Sequence, residues 1–104
     1  MINQNLLKFW SQMDLIEQLG NIGSEVGRAR KWQYVDESRF YLAVDKALEL
    51  FDATFRDRRW SGKLREIIIA KEVFADAVLG GHEYKSLLPD LESYFMKFAL
   101  LAQS

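Results

Sequence analysis

Apolar residues recur at steps of three and four along almost the whole of this chain, and proline occurs once. That spacing is the period of a helix face, not of a strand. Leu15, Leu19, Ile22, Val26 and Ala29 mark one such face within a first helix predicted over 5–34. Phe40, Val44, Ala47, Leu48, Phe51 and Phe55 mark a second over 38–55, where Asp36, Glu37 and Ser38 suit a cap or first turn. Leu64, Ile67, Ile68, Phe74, Ala75 and Val78 mark a third over 62–79. Ile67-Ile68-Ile69 alone would suit a strand, but the surrounding KLREIIIAKEVFADAVL is too long for one and keeps helical spacing. Leu91, Tyr94, Phe95, Phe98 and Leu101 mark a fourth over 89–102, with Pro89 in the first turn, where its missing N–H costs little.

The intervening segments YVDE, RDRRWSG and GGHEYKSL are short, which favours antiparallel neighbours. There is no internal repeat, low-complexity tract or linker. With 104 residues, 49% of them hydrophobic and 28% charged, the chain suits one folded domain, 1–104. The expectation is all-α: an antiparallel up-and-down four-helix bundle.

The stretch GNIGSEVGRARKW, 20–32, raises a separate question. On a helix, Gly20, Gly23 and Gly27 form one stripe at i, i+3 and i+7, and Ile16 extends it. Each glycine costs roughly 1 kcal/mol against alanine inside a helix. Three together point to a compensating close approach of another backbone, in the same chain or in a second copy. The alternative is a helix that kinks or breaks near Gly20 to Gly23. A phosphate cradle is disfavoured, because no strand precedes the glycines and their spacing fits no familiar phosphate-binding loop.

Charge narrows the function classes. The net charge is −1, so the molecule as a whole does not attract nucleic acid or anionic lipid, though a local basic patch stays open. There is no cysteine, hence no disulfide, thiolate metal site or thiol nucleophile. The start MINQNLLKFWSQMDL is not a secretory signal, and no run is apolar enough to cross a membrane. A cytoplasmic protein is expected.

Helix bundles hold metals with glutamates on facing helices plus Glu-x-x-His. Here the single histidine, His82, falls outside any such motif, and no metal or other cofactor is expected. Nor does a nucleophile and base constellation form around it, so no catalytic residue is assigned. Arg28 or Arg65 is expected to cross to Asp45, Glu49 or Asp52 and fix the helix register. In RDRRWSGK, Arg56, Arg58, Arg59 and Lys63 surround Trp60. That connector either caps one end of the core or contacts RNA or a nucleotide, with the indole stacking a base and the cations holding phosphate.

GSEVGRA in the first helix, ALELFD in the second, LREI in the third and YFMKFAL in the last give a layout spanning most of the chain. In size and helix order it resembles the small bacterial HEPN-type helical proteins that accompany minimal nucleotidyltransferases. Ribonuclease members of that superfamily carry an arginine a few residues before a histidine on a late helix. Residues 76–81, before His82, read DAVLGG, so that motif is absent. What the resemblance implies is a non-catalytic accessory subunit.

The expected function follows: a subunit that forms a homo-oligomer and binds a protein partner, with Arg28, Arg30, Arg58 and Arg59 at the rim of the contact. Two other readings stay open. One is a bundle contacting nucleic acid through Arg56–Lys63. The other is an enzyme with an unrecognised carboxylate–arginine site.

Overall fold

The structure is a computed structural model that describes residues 4–80 and 87–102. Every regular element among them is helical. Five α-helices follow one another: α1 (Gln4–Trp10), α2 (Leu15–Trp32), α3 (Glu37–Phe55), α4 (Leu64–Val78) and α5 (Leu88–Ala102). A short 3-10 helix, Arg58–Lys63, occupies the connection between α3 and α4. His82 and most of the third connector lie outside the described residues.

The helix predicted over 5–34 is thus two helices, and the expected four elements become five. The cause is local. Asp14 has an extended backbone, its carboxylate accepts the Glu17 N–H at 2.8 Å, and the Glu17 carboxylate accepts the Asp14 N–H at 3.2 Å. This reciprocal box satisfies donors that a new helix start would leave open. Apolar spacing hides the break, because Trp10 before it and Met13 within it are both buried.

α2 continues through Gly20, Gly23 and Gly27 without interruption and packs mainly against α5 and α3. Ile22, Val26 and Ala29 of its predicted face are fully buried. They meet Phe51 of α3, Phe74 of α4 and Phe95 of α5 in one core. Phe51 sits 6.0 Å, centroid to centroid, from each of the other two rings, within the range of favourable aromatic pairs. Two helix faces are narrower than their sequence suggests. On α4, Ile68 and Ala75 are exposed while Asp76 and Ala77 are buried. On α5, Tyr94 and Leu101 face outward and Leu88 is buried. No helix among the described residues is long and apolar enough to cross a membrane.

Candidate interaction surfaces

The connector after α3 is built around a buried amide. Gln18 of α2 is fully buried, which demands a partner for each of its polar atoms. Its Nε2 donates to the Trp10 carbonyl at 2.9 Å and to Asp57 Oδ2 at 3.0 Å. Its Oε1 accepts from Thr54 Oγ1 at 3.1 Å and from Trp60 Nε1 at 3.0 Å. Thr54 Oγ1 in turn accepts from Trp10 Nε1 at 2.9 Å. Four parts of the chain (α1, α2, α3 and the 3-10 helix) therefore meet at one side chain.

Arg59 completes this junction. It forms a fork onto Asp57, with Nε to Oδ1 at 2.9 Å and Nη2 to Oδ2 at 2.6 Å. Its Nη2 also donates to the Met13 carbonyl at 2.7 Å, and its guanidinium lies 4.5 Å from the Trp60 ring centroid. The hydrogen bonds from Arg59, with a further one from Gln18, outweigh the effect of burial and hold the Asp57 carboxyl down at about 2. Asp57 also caps the 3-10 helix, accepting the Arg59 N–H at 3.1 Å.

The seven residues read as a contact cluster thus divide. Arg59 and Trp60 are tied into the fold, and Arg56 pairs with Asp52 one turn back at 3.5 Å. Arg58 and Lys63 are exposed and form no ion pair among the described residues. Of the other two, Arg28 pairs with Glu25 on its own helix, and Arg30 reaches across to Glu92 of α5 at 3.0 Å. Arg28 does not cross to Asp45, Glu49 or Asp52 of α3, because Glu25, one turn back, takes its guanidinium first.

The glycine stripe faces α5. A Cβ built on Gly20 would lie 3.1 Å from the Ala99 Cα, and one on Gly23 2.5 Å from the Phe95 Cβ. One on Gly27 would lie 2.6 Å from Glu92 Oε2. The three glycines thus meet Ala99, Phe95 and Glu92 in reverse order, at spacings of four and three along α5. Backbone approach at this range is what a missing side chain permits. An open groove of about 480 Å³ runs outside this contact, with Ser24, Arg28, Lys31 and Met96 on its walls.

A second surface comes from the turn after α2. Tyr34 adopts the left-handed region, φ 66°, with no glycine to relieve it, and its side chain is 90% exposed. Val35 is 72% exposed and Leu79, at the end of α4, 75%. With Tyr41 and Val78 they line an open groove of about 500 Å³ whose only charged residue among those described is Glu37. Sequence periodicity misses Tyr34, Val35 and Leu79 because they lie just past the ends of α2 and α4, where the face rule lapses. The chemistry these surfaces offer is ion pairing, stacking and apolar contact.

No family model, curated protein or solved structure matches this chain.

Proposed function

We propose that this protein is a non-catalytic accessory subunit, which associates with itself and binds a protein partner. The observation that carries the reading is the apolar groove of Tyr34, Val35, Tyr41, Val78 and Leu79. Contiguous exposed apolar surface on a small domain marks a protein contact more often than chance scatter does. A tyrosine held in a costly backbone region, yet almost wholly exposed, adds to that. The four long helices α2 to α5, joined by short connections, are read here as an up-and-down antiparallel bundle. The HEPN-type resemblance makes a nucleotidyltransferase-like enzyme the partner of choice.

Light scattering tests the self-association. A mass above that of one chain is expected at tens of micromolar protein, returning to one chain when Val35→Ser and Leu79→Ser are combined. A strictly monomeric wild-type mass, or an assembly indifferent to both substitutions, would sink the reading. Turnover of a small molecule by the purified protein alone would favour the enzyme alternative.

A further inference from the structure

A tryptophan among cations occurs twice among the described residues, and only one instance is closed. At Trp60 the cation, the indole N–H and the ring are consumed by the Gln18 junction. At Trp32, the last residue of α2, they are not. The Trp32 ring is partly buried against the core, with the Arg39 guanidinium 4.6 Å and the Lys31 ammonium 5.0 Å from its centroid. An open groove of about 380 Å³ runs from this ring between α2 and α3, bounded by Glu25, Arg28, Arg39, Lys46 and Leu42.

The charge here differs from that of the whole molecule. Arg28 is paired with Glu25, whose side chain is nearly buried, while Arg28 itself stays largely exposed. Arg39 holds Asp36 only loosely, at 3.7 Å, with both side chains in solvent. Lys31 and Lys46 form no ion pair among the described residues. A chain of net charge −1 thus keeps two unneutralised ammonium groups and two half-satisfied guanidinium groups along or beside this groove.

We propose that this groove binds single-stranded nucleic acid. A guanidinium resting on an indole offers its outer face as a flat platform, and nucleobases stack on arginine planes as well as on aromatic rings. Leu42, 70% exposed beside it, extends the platform with apolar surface that a base covers. Arg28 and Lys46 line the groove beside the platform and Lys31 flanks the indole, along the path where successive backbone phosphates pass. The groove is shallow and open-sided, so it suits a strand lying across it rather than an enclosed free nucleotide. An acidic peptide would satisfy the cations but would bring nothing flat for the platform. The proposal is independent of the protein-binding reading, since the apolar groove of Tyr34 and Leu79 shares no residue with this one.

The test is fluorescence anisotropy with labelled single-stranded RNA and DNA 12-mers at low salt. Saturable binding is expected, accompanied by quenching of tryptophan emission. Arg39→Glu combined with Lys46→Glu should weaken it by about tenfold or more and flatten its salt dependence, by about 0.7 in logarithmic slope for each phosphate no longer neutralised. The milder pair Lys31→Gln and Lys46→Gln, at exposed sites, should weaken it in the same sense. Arg58→Glu with Lys63→Glu should leave it unchanged. No binding to either oligomer overturns the proposal. So does an equal loss in the connector variant, or competition by polyglutamate of matched charge as effective as by unlabelled oligonucleotide.

Discussion

At Gly23 one absent methyl group decides how close two helices come. A Cβ there would meet the Phe95 Cβ at 2.5 Å, and both atoms are fixed to helical backbone. At Gly27 the obstacle is the tip of Glu92, which rotates away at small cost. The two alanine substitutions therefore part in sign. Gly23→Ala is expected to lower stability by about 1–3 kcal/mol through overpacking, more than the roughly 0.5–1 kcal/mol that alanine returns by helix propensity. Gly27→Ala should keep most of that gain and disturb only the Arg30–Glu92 pair. Urea unfolding of the two variants would check this, and equal losses in both would refute the steric account. The stripe itself is legible in the sequence, since i, i+3, i+7 spacing places three glycines on one face. Which partner fills it is not, because Ala99, Phe95 and Glu92 carry no mark that distinguishes α5 from α3 or from a second copy.

Among the elements, the least legible is the break between α1 and α2, although its signal is present. Asp14-Leu15-Ile16-Glu17 has the acceptor and the glutamate three residues on that a capping box needs. Apolar spacing overrides it because Trp10 and Met13 keep the core continuous through a stretch that is not helical. The junction at Gln18 explains why α1 then folds back: its last carbonyl and its indole are both held there, directly and through Thr54. Long-range polar contacts of this kind have no periodicity, so no sequence pattern announces them. The same junction carries a pH response. Asp57 has a carboxyl pKa of about 2 in the folded chain against an ordinary 3.8. A folded value below the unfolded one means that the ionised group favours folding. That contribution is complete above the ordinary value and fades as pH falls from there toward 2. Asp57→Asn should therefore be less stable than the parent near neutrality, and the gap should narrow below about pH 4. Denaturant midpoints across that range measure it; a gap independent of pH would show that the carboxylate charge is not what stabilises the 3-10 helix.

For the whole molecule, the radius of gyration of 13.2 Å matches the roughly 13 Å of a compact domain of this length. Within that body the packing is uneven. α2 is the hub, enclosed by α3 and α5, and its residues from Ile22 to Ala29 supply three fully buried side chains. α4 touches α3, α5 and the 3-10 helix more sparsely among the described residues and leaves Ile68 and Ile69 half exposed. Local opening free energies follow the density of buried packing, so protection from amide exchange should be graded. The middle of α2 is expected to exchange only by global unfolding, and α4 at least about tenfold faster by local opening. The apolar groove ends on Val78 and Leu79, at the end of that same helix. A partner or second copy seated there would add the packing that α4 lacks. Exchange at the end of α4 should then slow as protein concentration rises, while the middle of α2 stays unchanged. Hydrogen exchange with mass spectrometry at dilute and concentrated protein reads both helices in one experiment. Equal protection of α2 and α4 in dilute protein would show that packing density does not govern the opening. Graded protection that ignores concentration would leave the packing argument intact and remove the groove as the self-association surface.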